Sequence, residues 1–245
     1  MRHGGKFVDV KTCTWGNPAP QARTAAIIGD SMSMTYVNPL RIVLSKQGQP
    51  WRITTLGTFG CPFRDVPARA TAPDCAGRKR DAVNKINQIK PDILFVVDSY
   101  WPQAFKKGGQ PPLPSDWTAH LSDALSQVSR SVGKIVLIAP PPGEVSPEEC
   151  YTRGAKPADC LGKVPENWTH MRDAETQLAA QIGGQWVDSS SWFCADGYCP
   201  IFVGTTPVRS DLNHMSIQYA ERIAPVIGEA FSSQGVLKAS PAAAS

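Results

Sequence analysis

Ala25-Ala26-Ile27-Ile28-Gly29-Asp30-Ser31 is the stretch that decides the fold. Four small and β-branched apolar residues without a polar interruption read as a strand buried on both faces, because a strand with one wet face would alternate. Glycine then permits a sharp turn, and Asp-Ser opens whatever follows. From Ser33 to Ser45, Met34, Val37, Leu40, Ile42, Val43 and Leu44 have helical spacing across Pro39. A strand, a tight turn and a helix form the first half of a βαβ unit.

The same grammar repeats along the chain. Strands are expected at Trp51 to Leu56, Ile93 to Val97, Ile135 to Ile138 and from Trp186. Helices are expected at Arg78 to Ile89, Asp116 to Val132, Asn167 to Ile182 and Ser216 to Phe231, the last with Ser216 as N-cap. Continuous apolar strands joined by helical crossovers favour parallel pairing, which gives an α/β fold, a flavodoxin-like three-layer α/β/α sandwich around a five-stranded parallel sheet. The domain is expected over 21–235, after a linker at 1–20 and before a frayed Ala/Ser/Pro-rich tail at 236–245.

Composition narrows the function classes. The 245 residues carry a net charge of only +4, and the densest basic run, Arg78-Lys79-Arg80, stops at Asp81. No basic stripe with interleaved aromatics exists, which argues against nucleic acid as a partner. No run approaches the roughly 18 apolar residues of a membrane helix, and the first twenty residues lack a signal-peptide core. Six of the seven cysteines fall in local couples inside Gly/Pro-rich loops: Cys61 with Cys75, Cys150 with Cys160 and Cys194 with Cys199. Short disulfide loops in an oxidising compartment fit this placement, whereas the metal spacing CxxC is missing, so no metal is expected. Cys13 is left over, and with the Met-Arg-His-Gly-Gly start it suggests a piece cut from a longer chain.

Two short motifs carry chemistry. Ser31, just past a buried strand, stands at the carboxyl edge of the sheet, where open parallel sheets hold their ligands. Asp211-Leu212-Asn213-His214 lies in the last loop before the last helix. Side chains three apart in one tight loop can converge, so His214 can take the Ser31 proton while Asp211 orients the ring. Asp188, after the fifth strand, is a rival acid. His120 and His170 fall in helices and read as structural, and Trp101, Trp192 and Phe193 lie on strand-end loops where they could stack on a sugar.

Ile27-Ile28-Gly29-Asp30-Ser31 resembles the first conserved block of SGNH (GDSL-like) hydrolases, and Asp211-Leu212-Asn213-His214-Met215-Ser216 resembles their last. Gly60-Cys61-Pro62, Lys90-Pro91-Asp92, Trp101, Gly133-Lys134 and Pro140-Pro141-Pro142 look like one branch, the extracytoplasmic SGNH domain fused to bacterial membrane acyltransferases of the acyltransferase-three family. The resemblance implies a Ser-His-Asp mechanism with no cofactor and no metal, in which Ser31, His214 and Asp211 transfer an acyl group, often acetyl, from a donor to a cell-envelope glycan. It implies an extracytoplasmic domain tethered through a membrane acyltransferase partner. Hydrolysis by the same triad, as a carbohydrate esterase or deacetylase, is one alternative, and a degenerate glycan-binding domain is another. Two departures stand out. Met32 replaces a frequent histidine. No asparagine follows the third strand, which continues Val97-Asp98-Ser99-Tyr100-Trp101. The oxyanion donors expected are therefore the Ser31 N–H with Gly60 or Gly57 and the Ser99 side chain. Trp101 and Asp30 are the substrate-binding candidates.

Overall fold

The computed structural model describes residues 13–64, 74–100, 113–143, 145, 147–150 and 152–238. Seven strands come first in chain order: β1 (Thr14–Gly16), β2 (Arg23–Gly29), β3 (Trp51–Thr55), β4 (Ile93–Val97), β5 (Ile135–Ile138), β6 (Leu161–Lys163) and β7 (Gln185–Val187). The central sheet has the order β1-β3-β2-β4-β5-β7. Five of its strands, β3, β2, β4, β5 and β7, run parallel, and β1 pairs antiparallel with β3 as an edge, Trp15 opposite Ile53. The sheet thus has six strands rather than five, and it reaches into the segment expected to be a linker. β1 lacks the apolar run that marks an inner strand, because an edge strand needs only one buried partner and its own backbone pairing.

The apolar runs of the inner strands divide by the pleat. Ala25, Ile27, Phe95, Val136 and Ile138 enter one core, and Ala26, Ile28, Leu94, Val96 and Leu137 enter the other. Side chains alternate faces along a strand, so a run apolar at every position demands a covering layer on each side. Helices α1 (Ser31–Thr35) and α2 (Val37–Ser45) follow β2, then α3 (Cys75–Ile89), α4 (Pro114–Ser126), α5 (Pro147–Cys150), α6 (Glu166–Gln181), α7 (Ser190–Phe193) and α8 (Ile217–Ser233). The first core takes Leu40 and Val43 of α2 and Ile227 and Phe231 of α8, with Phe95 stacked on Phe231 at 5.5 Å. The second takes Ile86 of α3, Leu121 of α4 and Leu178 of α6.

Three details depart from the reading of the sequence. The helix expected over 33–45 breaks at Tyr36, placing Pro39 in the first turn of α2, where its missing N–H costs nothing. Val236 and Leu237, expected in a frayed tail, are buried in the first core, where the chain turns back after α8. The post-β5 region also forms a two-stranded sheet of β6 with β8 (Tyr198–Pro200), beside a second of β9 (Phe202–Val203) with β10 (Thr206–Pro207). Ser216 does cap α8, accepting the Tyr219 N–H at 3.1 Å.

The chain leaves β2 for β3 on one side and returns to β4 on the other. The loops after β3 and β4 therefore part above the end of β2, and such a crevice at a strand-order reversal is where open α/β sheets hold ligands.

Candidate active site

Gly29 ends β2 at φ +139°, and a Cβ there would lie 2.0 Å from the Val97 carbonyl oxygen. Only glycine lets β2 stay paired with β4 to its last residue and then turn. Asp30 caps α1, its Oδ1 accepting the Met32 N–H at 2.9 Å, and Ser31 is the first residue of the helix. These contacts fix the nucleophile candidate at the crevice.

His214 arrives from the other end of the chain. Asp211 Oδ1 accepts the N–H groups of Asn213 and His214, both at 2.8 Å, and the Ser210 N–H donates to the His214 carbonyl at 2.9 Å. This side-chain-closed turn folds Asp211 back over its own loop. Asp211 Oδ2 then lies 2.7 Å from His214 Nδ1, and His214 Nε2 lies 2.8 Å from Ser31 Oγ. The two N–H donations to Asp211 and the adjacent imidazole outweigh the effect of partial burial and hold its carboxyl below the ordinary range. It stays ionised, as an orienting acid must.

The loop itself is clamped. Arg209, buried to 4% exposure, donates from Nη1 to the Leu212 carbonyl at 3.0 Å and from Nη2 to the Pro142 carbonyl. The guanidinium thus ties the loop carrying Asp211 and His214 to the segment after β5.

Beneath Ser31 lies a buried acidic pair that the sequence reading did not foresee. Asp98, at the end of β4, accepts the N–H groups of Asp30 at 2.9 Å, Phe63 at 3.0 Å and Arg64 at 3.3 Å. Asp30 Oδ2 accepts the Ser99 N–H at 3.1 Å. Burial, then the Asp98 charge, pushes the Asp30 carboxyl up to about 7, and burial raises Asp98 as well. The Arg64 guanidinium, itself buried, opposes both and packs 3.6 Å over the Trp117 ring. Deeper still, Glu175 accepts from Tyr100 Oη at 2.7 Å and Trp117 Nε1 at 3.1 Å, and burial pushes its carboxyl up to about 7.

The other expected residues fall as follows. Asp30 is buried, and its two carboxylate oxygens accept the Met32 and Ser99 N–H groups. The Ser99 N–H is given to Asp30, while the residue lines a cavity of about 50 Å³ with Met32, Tyr100, Pro141, Trp168 and Leu212. Gly60 sits at φ +64° in the turn that the Cys61 N–H closes on the Thr58 carbonyl at 3.2 Å. Gly57 comes nearer α1, the helix that begins at Ser31: a Cβ there would meet Ser33 Oγ at 2.2 Å. Asp188 accepts the Ser190 N–H at 2.7 Å at the start of α7, a capping bond and not a triad contact. Trp192 and Phe193 are buried in the core. His170 faces Glu166 at 3.8 Å on α6, and His120 is exposed on α4. Trp101 lies outside the described residues. The three expected disulfides, Cys61–Cys75, Cys150–Cys160 and Cys194–Cys199, are formed, and Cys13 is buried in the core.

The family model for the SGNH domain fused to AT3 domains matches residues 2–229. The chain belongs to that family. Among solved structures, the periplasmic domain of the lipopolysaccharide acetyltransferase of Salmonella ser. Paratyphi A superposes with a TM-score of 0.70 at 15% identity, covering 86% of this chain and 84% of that one. The aryl esterase of M. smegmatis gives 0.56 at 14%, covering 87% and 100%. The acetylxylan esterase Axe2 of Geobacillus stearothermophilus gives 0.54 at 16%, covering 88% and 95%. At such identities these likenesses speak for the SGNH hydrolase fold. No curated protein matches the chain.

Proposed function

We propose that this SGNH domain is a serine-dependent O-acyltransferase that moves an acyl group, in the first instance acetyl, onto a cell-envelope glycan. The observation that carries the proposal is the continuous line from Asp211 Oδ2 to His214 Nδ1 at 2.7 Å and from His214 Nε2 to Ser31 Oγ at 2.8 Å. In it, His214 takes the Ser31 proton as Oγ attacks the acyl carbonyl of the donor, and Asp211 stabilises the imidazolium. The negative oxygen of the tetrahedral intermediate is met by the Ser31 N–H and by an N–H of the Gly57-to-Gly60 turn. The close approach to Ser33 favours Gly57 over Gly60. Collapse expels the donor's leaving group, which His214 protonates, and leaves acyl-Ser31. A glycan hydroxyl then gives its proton to His214 and attacks the acyl carbon, and as the acyl–Oγ bond breaks His214 returns that proton to Ser31 Oγ.

The cavity of about 50 Å³ between Met32, Ser99 and Leu212 suits a short acyl chain. Transfer to a glycan is supported by the family's fusion to AT3 domains and by the fold shared with a lipopolysaccharide acetyltransferase. Three disulfides support an extracytoplasmic setting, and the membrane tether would come from the fused acyltransferase. Among the described residues no helix is long and apolar enough to cross a membrane.

The test is covalent labelling with a serine-directed fluorophosphonate. Wild type should label and Ser31→Ala should not; equal labelling of the two proteins overturns the proposal. With an activated acetyl ester, added glycan should divert acetyl from water to a sugar ester, and hydrolysis unchanged by any glycan would make the domain an esterase.

A further inference from the structure

Phe59 is 53% exposed, yet its ring lies 6.3 Å from the His214 ring, tilted by 58°. A single exposed apolar side chain is ordinary on a protein surface. Three further facts make this one different. First, its backbone is anchored: the Thr58 N–H donates to the Gly29 carbonyl at 3.0 Å, the Cys61 N–H closes on Thr58, and Cys61 is bridged to Cys75. Second, the next two anchors, the N–H groups of Phe63 and Arg64, end on the buried Asp98 carboxylate. A ring on so constrained a loop keeps its place beside the imidazole without burying itself. Third, the sheet order puts the loop after β3 on one side of Ser31 and the segments after β4 and β5 on the other, and the small cavity opens toward the latter, lined by Ser99 and Pro140 to Gly143 together with Met32 and Leu212.

The chemistry of the second half-reaction then assigns the two sides. The hydroxyl that accepts the acyl group must hydrogen-bond to His214 Nε2, so the ring bearing that hydroxyl covers the surface next to the imidazole. The acyl chain points away from it. The aliphatic C–H face of a pyranose packs on an aromatic face, whereas its hydroxyls point outward to water. Building on the proposed transferase reading, we infer that Phe59 is the platform on which the acceptor sugar ring stacks, and hence a determinant of acceptor binding.

The experiment uses the activated acetyl ester as donor and a soluble pyranose oligosaccharide as acceptor, with acceptor KM and kcat measured separately. Phe59→Ala should raise the acceptor KM about tenfold, equivalent to about 1.4 kcal/mol, with kcat changed less than twofold. Phe59→Trp, which keeps a stacking face, should restore KM. An acceptor KM unmoved by Phe59→Ala overturns the inference, and so does a fall in kcat at constant KM. Wild-type labelling by the fluorophosphonate separates the two failures. If Ser31 does not label, the transferase reading falls; if it labels and KM is indifferent to Phe59, only the platform falls.

Discussion

Strand β4 is flanked by an aspartate at each end, and each carboxylate accepts a backbone N–H from the β2 side, Thr24 inside β2 for Asp92 and Asp30 just past its end for Asp98. At the amino end Asp92 takes the Thr24 N–H at 2.7 Å, with the Thr24 hydroxyl and Arg23 Nε each at 3.2 Å. At the carboxyl end Asp98 takes three backbone N–H groups. By number of donors the two sites are equals, yet their acidities move in opposite directions. Burial works against the charge at both ends. At Asp92, whose side chain is 38% exposed, the Thr24 N–H and Arg23 overcome it and the carboxyl sits below its ordinary value. At Asp98, 3% exposed, burial wins over Arg64 and all the donors. Desolvation decides the sign, since a few hydrogen bonds repay only a fully paired ion for the loss of water. One end of the strand is a solvated brace; the other is a buried knot tying the end of β2, β4 and the loop after β3 together under Ser31.

The largest contrast should come from removing each carboxylate. Asp98→Ala leaves the N–H groups of Asp30, Phe63 and Arg64 without this acceptor and removes one of the two carboxyls that interact with the Arg64 guanidinium. Loss of one partner in such a buried set costs about 3–5 kcal/mol. Urea unfolding should therefore show a midpoint far below wild type. A loss under 1 kcal/mol would mean that the knot is no more than a solvated brace.

The pH dependence should sharpen the difference. Asp30 titrates near 7 in the fold against an ordinary 3.8, so between these values the folded state keeps a proton that the unfolded chain has released. Stability consequently falls as pH rises through that window, by up to about 1.4 kcal/mol per unit for one group. Asp98→Asn keeps the shape but removes the neighbouring charge that helps hold Asp30 up. The decline between pH 4 and 7 should become shallower, with the burial of Asp30 itself and Glu175, also raised to about 7, accounting for the remainder. A slope identical to wild type would show that the two carboxyls do not sense each other.

The legibility of the molecule follows the same division. Inner strands could be read because every residue in Ile93-Leu94-Phe95-Val96-Val97 faces one core or the other, which leaves a run that nothing but a covered strand explains. The convergence of Asp211 and His214 could be read because a four-residue turn brings them together. The meeting of Ser31 with His214, 183 residues apart, followed from the sheet order that those strands imply. Asp98 gave no such signal, since its donors lie 34, 35 and 68 residues away. Nor did Arg209, whose acceptors are carbonyls, carried by every residue alike. Edge strand β1 escaped notice because Thr14-Trp15-Gly16 needs no apolar alternation to pair with β3. Side chains whose partners are backbone groups leave little trace in composition or period.

The smallest effect is expected at Asp92. Asp92→Asn removes a half-exposed ion pair with Arg23 and should cost under about 1 kcal/mol at pH 7. The sign of its pH dependence is opposite to that of the knot. A carboxyl with a depressed pKa lends stability above its unfolded value of 3.8, and that stability is lost as pH falls through the lower folded value. The wild-type advantage over Asp92→Asn should accordingly vanish in strong acid. Salt separates the two ends once more. At 1 M ionic strength the screening length is about 3 Å, so the Arg23 pair should weaken and the cost of Asp92→Asn shrink. The Asp98→Ala deficit, sealed from solvent, should hold. If added salt reduced both deficits in proportion, water and ions would be reaching Asp98, and burial could not be what reverses the sign along β4.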